Sequence, residues 1–168
     1  GIYVRSGHTM GNALRSAAEL NDFLIDEVTE LSGAERVLLV LDAAEGPRIA
    51  GALLPPGESA QALLSAVTPW LVEVRDTRAV RLRHGPEAAA AVDQRSCLVA
   101  PLLSQGELLG FLYADIEGAF GRFGDADRDL LALLAAQAAM ALANLRFAAG
   151  LEAQVAARTA DARASQAQ

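Results

Sequence analysis

The residues best suited to chemistry lie in the middle of the chain. Cys97 is the sole cysteine, and His84 and Asp93 precede it, so a nucleophile, a base and an orienting acid are all present. The competing role for Cys97 is a small apolar filler of a strand, because free cysteine is commonly buried. Arg95 is the only cation close to it in sequence, and no helix N-terminus is placed to lower its thiol pKa. Core filler is therefore the expectation, with a Cys97-centred enzyme as the lesser alternative. His84 stands beside Gly85-Pro86, the setting of a loop residue more than of a haem ligand. His8 and His84 lack metal-ligand spacing. Asp125-Ala-Asp-Arg-Asp129 begins like a calcium loop, but Leu130 takes its sixth position and Ala136 its twelfth. Acids at a helix start explain it better. Gly118, Gly121 and Gly124 lack the strand–GxGxxG–helix setting of a dinucleotide site.

A second group suits binding more than catalysis. Arg75, Arg78, Arg81 and Arg83 concentrate positive charge in an acidic chain. If residues 79–83 are extended, Arg81 and Arg83 point to one side, where they could receive an anion such as a cyclic nucleotide or a carboxylate. Pairing with Glu73 and Asp76 is the alternative. Trp70 and Tyr113 offer aromatic walls with a polar handle. With Arg81, Ser96 and Asp115 they form the candidate ligand-binding set. Asp115 closes an apolar run, where a turn cap is its plainer role.

Composition removes whole classes of function. All 14 basic residues are arginine. Without lysine there is no phosphate-loop, Schiff-base or kinase-type ATP-anchoring lysine. No cofactor is required by any motif. A net charge of −7 opposes general nucleic-acid binding. One cysteine forms no internal disulfide, so a reducing cytoplasm is the expected location. The longest apolar run, Leu130 to Ala143 with Gln137 inside it, falls short of the roughly 20 residues of a bilayer span, and no membrane insertion is expected. The first residues lack a signal-peptide pattern. Residues 1–11 read as a flexible N-terminus or the remnant of a cleaved tag. A length of 168 residues suits one domain.

The elements that must hold these residues follow from periodicity. Leu14, Ala17, Leu24, Val28 and Leu31 predict a helix ended at Ser32-Gly33. Arg36 to Leu41 and Arg48 to Leu54 predict a hairpin with a turn at Glu45-Gly-Pro47. Residues 58–75 return to helical spacing, with Pro69 as a break or kink. A short strand at 79–83 and a short helix at 87–93 come next. Ser96 to Leu103 and Leu108 to Ala114, joined by Ser104-Gln-Gly-Glu107, predict an antiparallel hairpin apolar on both faces. Asp125 is placed to cap a long last helix, with Asp127 and Asp129 favouring its N-terminus.

The order of these blocks resembles the GAF domain family. The resemblance rests on Arg95-Ser-Cys-Leu-Val-Ala-Pro-Leu102, on Gly106-Glu-Leu-Leu-Gly-Phe-Leu-Tyr-Ala-Asp115, on Phe123 through Asn144 with Asp129-Leu-Leu and Gln137-Ala-Ala-Met-Ala-Leu, and on Leu31-Ser-Gly-Ala-Glu-Arg-Val-Leu-Leu39. It spans roughly residues 12–148. It implies an α/β (α+β) fold with a central antiparallel sheet of five to six strands. The N- and C-terminal helices would cover one face, and middle helices and loops would roof a pocket on the other. It also implies a regulatory module of a bacterial signalling protein: a homodimer through its first and last helices that binds an unidentified small molecule. A structural dimerisation spacer without ligand is the alternative. The family's cyclic-nucleotide-binding members carry an Asn-Lys-Phe-Asp-Glu type pattern that a lysine-free chain lacks. The common bilin site wants a histidine after the cysteine, where Leu98 stands. Leu151 to Thr159 is similar to linker helices that precede histidine kinase, nucleotide cyclase or further sensor modules. A heptad seam of Ala148, Leu151, Val155, Arg158 and Ala162 would run along it. The expected division is a sensor domain at 12–149 and the start of a signalling helix at 150–168, leading to a downstream domain of the same protein.

Overall fold

A computed structural model of the chain describes residues 17–85 and 94–167. The elements run α1 (Ala17–Ser32), β1 (Arg36–Ala43), β2 (Gly46–Leu53), α2 (Ala60–Thr77), β3 (Arg81–Gly85), β4 (Arg95–Ser104), β5 (Glu107–Glu117), a 3-10 turn (Gly118–Phe120) and α3 (Asp125–Ala167). The expected helix at 87–93 and the first residues of the expected first helix lie outside the described residues.

Five strands form one sheet in the order β2-β1-β5-β4-β3, with every neighbouring pair antiparallel. β1 and β4 both pair with the central strand β5, whose residues 109–116 are all buried. Alternation then sorts side chains to the two faces. Val37, Leu39 and Leu41 of β1, Leu98, Ala100 and Leu102 of β4, and Leu112, Ala114 and Ile116 of β5 pack with α1 and α3. Leu38 and Val40, Cys97 and Val99, and Phe111 and Tyr113 pack with α2. The expected architecture is thus present: first and last helices on one face, the middle helix on the other.

Turns set the register. The β4–β5 hairpin closes through Gln105 (φ 52°) and Gly106 (φ 81°), consecutive left-handed residues that match strand twist in a two-residue turn. The β1–β2 hairpin turns at Ala44-Glu45, one residue earlier than Glu45-Gly-Pro predicts, and β2 already starts at Gly46. Gly110 is required by contact: a Cβ there would stand 2.1 Å from the Val40 carbonyl oxygen on β1. Gly33 caps α1, with φ 72° and its N–H on the Thr29 carbonyl at 3.0 Å.

Two expectations about helices need correction. Of the break or kink expected at Pro69, the break is absent: α2 runs continuously from its Ser59 cap to Arg78 in the left-handed region. Ser65, whose carbonyl loses its partner, and Pro69 are both exposed, so water reaches the orphaned group. Asp125 is not the cap of α3 but its first residue. Gly124 holds the cap position, with its carbonyl accepting from Arg128 N–H and its own N–H donating to Asp127 Oδ2 at 2.8 Å, the reaching-back half of a capping box.

α3 changes character along its length. Leu131, Leu134, Ala135, Ala138, Ala139 and Leu142 are buried against β4 and α1, the alanines letting the backbones approach. From Arg146 to Ala162 every side chain is exposed. Between Asp125 and Ala162 the helix is long and apolar enough to cross a membrane by length and composition, with one third of its most apolar window buried inside the domain. A core helix passes the same test.

Candidate functional site

Between α2 and the sheet lies a cavity of about 930 Å³. Leu63, Ala66, Val67 and Trp70 of α2 form its roof. Cys97 and Tyr113 of β4 and β5 lie across from them, and Leu82, Arg83, His84 and Gly85 of β3 line it as well. Gln94, with Arg36, Arg95 and Arg122, supplies the polar part. Such a volume lies within the range of small-molecule sites.

One buried carboxylate organises its floor. Asp115 is fully buried, and five contacts converge on it. Arg36 Nε donates to Oδ1 and Oδ2 at 3.0 and 2.9 Å, and Arg36 Nη2 lies 2.6 Å from Oδ2. Arg95 Nη1 donates to Oδ1 at 2.9 Å, and the Tyr113 hydroxyl to Oδ2 at 2.5 Å. Asp115 therefore does not end its strand, as the sequence suggests. β5 continues to Glu117, and Asp115 pairs with Arg36 on β1 and Cys97 on β4. The arginines reach outward as well: Arg36 to Glu58 at 3.1 Å, Arg95 to Glu35 at 3.2 Å and to Glu117 at 2.6 Å. This network ties three strands to the segment that enters α2.

The network governs protonation nearby. Burial works to lower the pKa values of Arg36 and Arg95, but the Asp115 carboxylate outweighs it and holds both above the ordinary arginine value. Burial pushes the Tyr113 hydroxyl well up, reinforced by Cys97 and Asp115. Burial likewise raises the Cys97 thiol, whose Sγ lies 3.5 Å from the Tyr113 hydroxyl oxygen. A raised thiol is a poor nucleophile. His84, its expected base, instead meets Ser96, with Nδ1 and Oγ 2.7 Å apart, and Asp93 lies outside the described residues. Burial, then the positive charge of Arg122, holds His84 below its ordinary value. Among the described residues no group of three His, Cys, Asp or Glu could hold a metal ion.

Of the five residues singled out from sequence, Trp70 and Tyr113 line the cavity. Ser96 and Asp115 are fully buried behind it, touching the liners His84, Arg36 and Arg95. Arg81 is exposed and turns with Arg83 to Glu73, as the pairing alternative expects. Asp76 takes no part in these pairs; Arg75 binds Asp42 at 2.8 Å and lies 5.5 Å from the centre of the Phe111 ring. Sequence reading missed Arg36, Arg95 and Arg122. The available signal was parity: Arg36 precedes Leu38 and Val40, and Arg95 precedes Cys97 and Val99, on the α2 face of their strands.

Comparison with known proteins gives a consistent result. The profile of the GAF domain family matches residues 17–142. No curated protein sequence matches the chain. Among solved structures, a GAF domain/HD domain protein from Geobacter sulfurreducens superposes with a TM-score of 0.64 at 14% identity, over 80% of this chain and 97% of that one. Residues 122 to 287 of a methyl-accepting chemotaxis protein superpose with a TM-score of 0.66 at 16% identity, over 88% and 98%. The GAF-B domain of DevS from Mycobacterium smegmatis superposes with a TM-score of 0.57 at 20% identity, over 83% and 99%.

Proposed function

The chain belongs to the GAF domain family of sensory modules, and on that premise we propose that it senses a small molecule within a multidomain bacterial signal-transduction protein. The observation that carries this reading is the cavity under α2. It is polar at its floor, bounded by the aromatic rings of Trp70 on α2 and Tyr113 on the sheet, and backed by the same sheet that holds α1 and α3 on the other face. Trp70 and Tyr113 contact the ligand directly. Asp115 and Ser96 act through the arginines and His84 they hold, and Arg81 acts through Glu73. A ligand that binds one arrangement of α2 better than another shifts the population by its differential affinity. Arg36 joins the cavity floor to Glu58 beside the α2 cap, giving that shift a physical connection.

In this reading residues 12–149 are the sensor and residues 150–168 begin the signalling helix. The chain forms a cytoplasmic homodimer through its first and last helices. α3 passes the ligand state to a downstream output such as a histidine kinase or a nucleotide cyclase. The neighbour from a chemotaxis protein supports a place in signal transduction. The domain itself is non-catalytic, in keeping with the raised Cys97 thiol.

Native mass spectrometry of the protein purified from its source tests both parts. The expected result is a dimer retaining a small molecule, reduced to an empty dimer by Trp70→Ala. A monomer carrying nothing, at concentrations well above cellular, overturns the reading.

A further inference from the structure

Charge is distributed unevenly around the cavity, and the unevenness selects a ligand class. Among the described residues four arginines line it, Arg36, Arg83, Arg95 and Arg122, and no aspartate or glutamate does. The carboxylates that balance these arginines approach from outside the lining: Asp115 from beneath, Glu58, Glu35 and Glu117 at one end of the sheet, and Glu73 from α2. Three of the four arginines are thereby committed. Arg122 forms no ion pair among the described residues, and its positive charge reaches His84 across the cavity lining. Among the described residues, the charged and titratable groups that a cation would meet there are guanidinium groups and an imidazole. An anion would meet fork-shaped donors suited to a planar carboxylate.

The remainder of the lining is apolar and aromatic. Leu63, Val67, Trp70 and Tyr113 would leave a small inorganic anion with a largely unfilled, poorly solvating space, whereas a ring system covers them. From these two features together we propose that the cavity takes an aromatic monocarboxylate, its ring between Trp70 and Tyr113 and its carboxylate on Arg122. One negative charge matches Arg122, the one lining arginine without an ion pair among the described residues. A multiply charged phosphate ester would have to draw Arg36 or Arg95 off Asp115 and leave that fully buried carboxylate underpaired. This inference rests on the sensor reading and adds to it the charge and shape of the ligand.

Trp70 is the only tryptophan in the chain and stands in the lining, so its indole N–H resonance reports on the cavity alone. The intact chain is titrated with 2-naphthoate and with 2-naphthamide, which share a ring system and differ in charge. The expected result is that both move the Trp70 resonance, the acid with a Kd about tenfold or more below that of the amide. Arg122 is exposed, so Arg122→Gln leaves the fold intact and should bring the two Kd values within about twofold. Equal binding of acid and amide by the unaltered chain overturns the charge assignment while leaving the cavity a ligand site. An acid preference that survives Arg122→Gln overturns the role of Arg122. If neither compound moves Trp70 the inference fails outright, and the mass of the protein from its source then judges sensing separately.

Discussion

Replacing Asp115 by asparagine tests whether the buried network holds the sheet together. The substitution keeps shape and removes charge. Five contacts from two guanidinium groups and a hydroxyl converge on the carboxylate. An amide presents one oxygen and one N–H₂, so whichever way it turns a charged donor faces another donor. Removing one partner of a buried ion pair costs about 3–5 kcal/mol. The lower end applies here, because the Arg36 and Arg95 side chains are 18% and 25% exposed and keep Glu58, Glu35 and Glu117. A loss of about 3 kcal/mol, at a urea dependence of about 2 kcal/mol per molar, moves the unfolding midpoint down by about 1.5 M. The assay is urea unfolding at pH 7 followed by far-ultraviolet circular dichroism. Adding Arg95→Gln should cost less in the Asp115→Asn background than alone, since the two share a bond. A midpoint shift under about 0.3 M, or full additivity of the two changes, would refute the argument that this carboxylate is the anchor.

Other expectations follow from single contacts. Gly110→Ala forces a Cβ to within 2.1 Å of a strand carbonyl, so it should cost roughly 4 kcal/mol or more and abolish a cooperative thermal transition. Cys97 and Tyr113, raised chiefly by burial from 9.0 and 10.0, keep protons in the folded state that the unfolded chain releases. Stability should be full below about pH 9 and fall by about 1.4 kcal/mol per pH unit for each group above its unfolded value, with Tyr113→Phe removing the later component from pH-dependent urea melts. His84 is lowered, so its unfolded form binds a proton first and its contribution fades as pH falls through 6.5; Arg122→Gln should move its NMR titration midpoint upward.

What the sequence disclosed and what it hid differ for a physical reason. The β4–β5 hairpin was legible because two apolar runs flank Gln105-Gly106, whose left-handed conformations suit that turn. The two faces of the sheet were legible in the unbroken apolarity of residues 97–103. The floor of the cavity was not. Arg36, Arg95 and Asp115 are remote in sequence, and only the β1–β5 and β4–β5 registers bring them together. Asp115 looked like the end of an apolar run because a buried carboxylate and a terminal one are the same letter. A cluster of arginines in sequence points Arg81 toward a ligand, but Glu73 on α2 draws Arg81 and Arg83 to itself. The cap of α3 was misplaced by one residue because Gly124 borrows the carboxylate of Asp127 rather than supplying its own side chain.

The unbroken course of α3 has a mechanical consequence. Its buried half is clamped between β4 and α1, while every side chain from Arg146 to Ala162 is exposed. At about 1.5 Å per residue that stretch is about 33 Å long to Ala167. A helix anchored at one end acts as a lever arm, so each degree of tilt at the clamp displaces the tip by about 0.6 Å. A five-degree reorientation, within what packed side chains absorb by sliding without repacking, carries the tip about 3 Å, more than half of a helical turn. Under the proposed sensor reading, the domain would need no large internal rearrangement to be read at a distance. The length of the arm amplifies a movement too small to disturb the core.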